Sequence, residues 1–338
     1  MQHRFLLPAA ALTVAIPFVT VPAAAQTLIA AEKKPAAMSA SASPGSWSKR
    51  TPDGQPDIQG IWSNATITPF ERPVALGTKA HLTEAEAAQA EQRAAANRVD
   101  RPPRPGEVGD YNALWIDSGT KVVKSLQTSL VVDPPDGRVP LTPAAEARRD
   151  YNHAHQAESY VYMSVWDRCI TRGVPGGMFP AGYNNAYQII QTPGQVVIIS
   201  EMIHDVRVIP IDGSPHPPAN VRMWDGDSRG HWEGNTLVVD TTNFNDKGWI
   251  ATSAATGRVK GIMQTEALHL VERFTRTDPG TLNYEATIED PNMYTQPWKV
   301  AIPLSRADDY RMYEYACHEG NEAVELTLRG GRAQDESK

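Results

Sequence analysis

From residue 183 onward the chain reads as all strand, a succession of short segments in which apolar and polar residues alternate, with no intervening helix. They read NAYQIIQT, QVVIISEM, VRVIPID, GHWEG, NTLVVDTTNF, LHLVERFTRT, TLNYEATIED, WKVAIPLS and YRMYEYAC. Pro193-Gly194, Asp212-Gly213, Gly234-Asn235 and Asp278-Pro279-Gly280 punctuate the series. A period of two puts alternate side chains on opposite faces of a strand. Strands joined by turns this short form an antiparallel meander. So many strands leave exposed edges unless the sheet closes, so the pattern predicts a barrel or a two-sheet sandwich.

The first half of the chain departs from this regime. TPDGQPDIQGIWSN holds a turn at Asp53-Gly54 and then a strand through Ile58, Gly60 and Trp62. LTEAEAAQAEQRAAANR, 82–98, is helix-forming throughout, with Thr83 as N-cap and Glu86 completing a capping box. Its few large apolar residues place it on the surface. RPPRPGEVGD, 101–110, is a proline-broken connector, and SLQTSLVVDPPDGRVPLT a strand and turn. Thr142 caps a second helix over PAAEARRDYNHAHQAES. The β domain, 51–335, thus carries a helical insert at about 64–182.

The N-terminus reads as export machinery. His3 and Arg4 precede an apolar run that ends at Ala23-Ala24-Ala25, which predicts a signal peptide over 1–25. Residues 26–50, rich in Ala, Ser, Pro and Lys, read as a flexible leader. The expected location is therefore periplasmic or secreted, and no later apolar run is long enough to cross a bilayer. In an oxidising compartment two cysteines favour a disulfide, and Cys169 and Cys317 would close a loop of about 150 residues. The net charge of −7 argues against a nucleic-acid binder, which needs a basic face.

Four polar clusters are candidates for chemistry. In EMIHDVR, an extended chain puts Glu201, Asp205 and Arg207 on one face and His204 on the other; a turn at His204 would let them converge at a barrel mouth. A histidine beside a carboxylate suits acid–base work, and a salt-bridged hairpin end fits the same residues. GDSRGHWEGNT is first a hairpin whose Gly234-Asn235 turn tolerates positive φ, with Trp232 facing Leu237 across it. Arg229, His231, Trp232 and Glu233 would then sit at a pocket rim.

Arg168 and Arg172 flank Cys169 and suit bidentate recognition of a carboxylate or phosphate. If Cys169 pairs with Cys317, His318 and Glu319 join them. No metal site is expected. Asp225-Gly226-Asp227 begins like a calcium loop but offers Arg229 and Thr236 where oxygen ligands are needed. His153-x-His155 lies in a helical stretch that splays the two rings. No Gly-x-Ser-x-Gly elbow, P-loop or dinucleotide fingerprint appears, so no cofactor is expected.

Two resemblances add to this reading. PDIQGIW resembles the Gly-x-Trp first strand of lipocalins and other calycin barrels, where the tryptophan plugs one barrel end under a late arginine. The resemblance implies that Trp62 is the plug, with Arg329 or Arg332 packed on it. The assembly PDGQPDIQGIW, DRCITRGVPG, YNNAYQIIQTPG, EMIHDVRVIPIDG, GDSRGHWEGNTLVVDTTNF and YEYACHEGN resembles a family of exported bacterial proteins of unassigned function. It implies export and a β-rich fold, and no catalytic assignment.

The expectation is a mainly β protein, an antiparallel meander closed into a calycin-like barrel or sandwich, that binds a small hydrophobic or anionic molecule. A cofactor-free lyase, isomerase or hydrolase using His204 or His318 with a carboxylate and an arginine clamp is the alternative. A structural envelope protein with a filled barrel is the third. Oligomeric state stays open.

Overall fold

The computed structural model describes residues 47–98 and 116–337. The predicted signal peptide, nearly all of the leader and the 101–110 connector lie outside the described residues.

Alternation in the second half produces strands as expected. Among the described residues, ten strands form one antiparallel sheet: β1 (Gly60–Ser63), β2 (Val131–Asp133), β3 (Ala186–Thr192), β4 (Gln195–Ser200), β5 (Val206–Pro210), β6 (Asp227–Glu233), β7 (Thr236–Thr242), β8 (His269–Asp278), β9 (Thr281–Glu289) and β10 (Trp298–Arg306). Their order is β5-β4-β3-β1-β10-β9-β8-β7-β6, with β2 also on β10. The sheet curls into a nearly closed barrel, so the sandwich alternative falls away. β1 is the closing piece, since it inserts between β3 and β10 and joins two meanders that are distant in sequence.

The one seam without a ladder lies between β5 and β6. Side chains close it. Arg207 on β5 reaches Ser228 Oγ on β6 (2.9 Å) and Thr241 Oγ1 on β7 (2.9 Å). Gly230 on β6 leaves room for the isoleucines of the other edge. A Cβ there would stand 2.8 Å from Ile211 and 3.0 Å from Ile209.

The interior is well filled. β8 turns Leu270, Glu272, Phe274 and Arg276 inward; β9 turns Leu282, Tyr284, Ala286 and Ile288; β10 turns Trp298, Val300, Ile302 and Leu304. Phe70 and Phe179 of the insert pack on Trp298, with ring centroids 6.3 and 6.5 Å away. Trp62 is fully buried and its indole donates to Ile58 O (3.0 Å). The arginines that lie over it are Arg276 and Arg306, at 5.0 and 5.2 Å. The expected partners Arg329 and Arg332 lie on a third helix instead, where Arg329 pairs with Glu325.

The insert carries α1 (Glu84–Asn97), with the Thr83–Glu86 capping box formed, and α2 (Pro143–Ala154), capped by Thr142. α3 (Ala323–Glu336) corrects the expectation of strands alone after residue 183: its Ala, Glu, Leu, Arg and Gln residues are good helix formers despite the Gly330-Gly331 pair. YRMYEYAC, expected as a strand, has no regular structure; residues 307–322 form a strap instead. Glu201 anchors the strap, accepting from the Tyr310 hydroxyl (2.7 and 2.8 Å) and from the Tyr313 amide (2.7 Å). At the β6–β7 hairpin only Gly234 takes positive φ, so the turn needs a glycine at its first central position and not at Asn235.

Candidate functional site

A cavity of about 40 Å³ opens where β4 ends, β5 begins and the loop 171–178 crosses between them. It has room for a water-sized or carboxylate-sized group, not for a large apolar ligand. Ile198, Met178 and Val174 supply its apolar wall; Arg172, Arg207, Asp205, Asp225 and Ser200 supply its polar one.

The turn between β4 and β5 builds one side. Residues Met202–His204 form a 3-10 turn in which Ile203 and His204 hold φ of 64° and 46°. Such conformations are costly for side-chain-bearing residues and survive only where surroundings enforce them. The turn sends the four candidates of EMIHDVR in different directions. Asp205 and Arg207 reach the cavity. Glu201 is buried under the strap, and His204 is exposed and donates from Nδ1 to Tyr315 O (2.7 Å).

Arg207 runs from the cavity into the barrel. It pairs with both oxygens of Glu272, which is 0 % exposed, one of them 2.9 Å from Nη1. The Tyr284 hydroxyl donates to the same carboxylate (3.0 Å). Arg207 is thus neutralised from below and hydrogen-bonded sideways by Ser228 and Thr241.

Arg172 is the opposite case. It is 3 % exposed and donates from Nε to Thr252 Oγ1 (2.8 Å). Its Nη2 is buried without a hydrogen-bond partner, and no carboxylate among the described residues forms an ion pair with it. Trp166 stacks on the guanidinium at 5.4 Å, and Tyr183, Tyr187 and Tyr315 surround its charge. Burial works against that charge and lowers its pKa.

Asp225 faces Asp205 through Thr171. The Thr171 hydroxyl is 2.8 Å from Asp205 Oδ2 and 2.9 and 3.0 Å from the two oxygens of Asp225. Burial first, and Asp205 second, push the Asp225 carboxyl up to about 6. An acid whose folded-state pKa exceeds its unfolded value holds its proton more tightly when folded. Its contribution is complete below about pH 4 and is lost as pH rises to about 6. Asp225→Asn should remove that slope. Urea denaturation at about pH 4 and pH 7 should show the variant gaining on the order of 2 kcal/mol on wild type across the window. Parallel profiles for the two proteins would contradict the assignment.

The remaining candidates lie elsewhere. Arg168 rests over Tyr160 and Trp224, at 5.3 and 5.9 Å. Arg229 forks Asp227 (2.7 and 2.9 Å) on the outer face of the sheet, where His216 bridges Asp227 and Asp240 and His269 also reaches Asp240. His231 and Glu233 are exposed at the hairpin tip, where Glu233 pairs with Arg273 (2.9 Å). Trp232 packs against the core. His318 and Glu319 are exposed beside the Cys169–Cys317 disulfide, whose Cα atoms are 5.6 Å apart. His153 packs by Trp249 while His155 bonds Tyr151 O.

Sequence reading passed over Thr171, Glu272 and Tyr284, and met Asp225 only as the start of a rejected calcium loop. For Glu272 and Tyr284 a signal existed: both occupy the apolar phase of an alternating strand. Comparison with family models, with curated proteins and with solved structures finds no match.

Proposed function

We propose that this chain is an exported barrel protein that binds a small organic anion, with Arg172 as the anchor. The reading rests on one observation above all: Arg172, a residue that lines the cavity, is only 3 % exposed and has an unpartnered Nη2. Burying a charge is expensive, and proteins ordinarily offset it with a counter-charge. Arg207 has such a counter-charge in Glu272; Arg172 has aromatic rings and one hydroxyl. A ligand carboxylate would supply the missing charge and accept from Nη2.

Export is supported by the signal-like start, the disulfide and the motif resemblance. No helix among the described residues is long and apolar enough to cross a membrane. The cavity's size favours a small acid over a bulky apolar ligand. A cofactor-free enzyme is a second reading, favoured by the two carboxylates on the same cavity. It would use Asp205 and Asp225 and not the exposed His204 and His318.

Titration calorimetry with formate and acetate at about pH 5 tests the anchor. Wild type should bind, and Arg172→Met should bind at least 30-fold more weakly, on the order of 2 kcal/mol or more for losing a buried charge partner. Equal binding by both proteins would remove Arg172 from the site.

A further inference from the structure

We propose that Asp205, Thr171 and Asp225 form a proton-holding carboxyl pair that couples the binding of a small carboxylate at Arg172 to the uptake of one proton. The coupling rests on the anion-binding reading above; the pair itself does not.

Hydroxyl stoichiometry makes the first case. Thr171 Oγ1 accepts from the Gly173 amide (2.9 Å) and contacts both carboxyl groups within 3.0 Å. A hydroxyl owns one proton, and an ionised carboxylate only accepts. With both aspartates ionised, one of these contacts sets lone pair against lone pair. One proton on the pair repairs this: a protonated Asp225 donates to Thr171, and Thr171 donates to Asp205. The high pKa of Asp225, caused by burial and then by Asp205, fits that state.

The charge count of the cavity makes the second. The groups facing Asp225 are Asp205, Thr171 and Arg207, and Arg207 is already balanced by Glu272. Arg172 lines the same cavity. With one proton on the pair, Arg172 and Asp205 cancel. An entering monoanion adds a negative charge that water cannot screen well. Where the pair has lost its proton, the anion raises its affinity for one. The proton comes from solvent and ends on a carboxylate oxygen. The bound acid then has a neutral carboxyl group beside it, whose one proton is engaged by Thr171.

Calorimetry with acetate in buffers of different ionisation enthalpy counts the protons. Wild type should take up close to one proton per acetate at about pH 7 and much less at about pH 5. Its affinity should fall by about tenfold per pH unit above about pH 6. Asp225→Asn should bind acetate with no uptake and no such decline. Uptake near zero in wild type at pH 7, or undiminished uptake in Asp225→Asn, would overturn the coupling. Absence of acetate binding to wild type at any pH would sink both the coupling and the anion-binding reading. The infrared carbonyl band of a protonated carboxyl group separates the two failures. A band that titrates near pH 6 in wild type and is missing in Asp225→Asn would preserve the pair. Its absence from wild type at pH 5 would remove the pair as well.

Discussion

Arg207→Met should cost the protein about 3–5 kcal/mol of stability, because it strands a fully buried carboxylate. Glu272 would keep only the Tyr284 hydroxyl, and Ser228 and Thr241 would keep only their bond to each other. The same arginine ties β5 to β6, β7 and β8 across the seam that no backbone ladder closes. Glu272→Met should be comparably damaging, since it leaves the guanidinium uncompensated. The double variant Arg207→Met/Glu272→Met should recover most of the loss, because a buried ion pair replaced by apolar groups of similar volume is often near neutral. Urea midpoints for the four proteins close this cycle. A single variant within about 1 kcal/mol of wild type would mean that water reaches the pair and that the seam is held by packing alone.

The second large effect concerns the strap. Cys169 and Cys317 are 148 residues apart, so their bond removes much freedom from the unfolded chain. Cys169→Ser/Cys317→Ser should lower stability by about 3–5 kcal/mol. It should also weaken anion binding. Tyr315, two residues before the bridge, is one of the rings around Arg172, and the strap is otherwise held by Glu201, His204 and the bond from Asn321 to Asp167 O (3.0 Å). A looser strap admits water to the guanidinium and reduces what a ligand gains there. Equal urea midpoints for the bridged and unbridged proteins would show that these contacts fix the strap alone.

Much of this fold was legible because strand alternation is a local signal. The nine segments after residue 183 predicted β3 to β10 almost segment by segment, and failed at YRMYEYAC. That segment has a strand-like composition, but Glu201 takes its backbone amide at Tyr313 and its Tyr310 hydroxyl. Such a long-range bond leaves no trace in the local pattern. Trp62 is buried, and the arginines over it were not legible, because Arg276 and Arg306 become neighbours of Trp62 only through strand pairing across the sheet.

The site divides the same way. Arg172, Asp205 and Arg207 stood out as charges near a cysteine or a histidine. Asp225 did not, because its motif reads equally well as a turn, and only the tertiary fold sets it against Thr171. The histidines drew attention by their chemistry; His204 bonds the strap at Tyr315 O, and His318 is exposed.

The most direct test of the account compares urea stability of wild type and Arg172→Met, each with and without acetate at about pH 5. An arginine kept for a ligand should contribute little to the empty protein. The variant should match wild type within about 1 kcal/mol or exceed it, losing only the Thr252 bond and the Trp166 stack while shedding a buried charge. Acetate should stabilise wild type by an amount that grows with the logarithm of its concentration above the dissociation constant, and leave the variant unchanged. If the variant instead loses several kcal/mol and acetate stabilises neither protein, Arg172 is a structural arginine and the cavity is not an anion site.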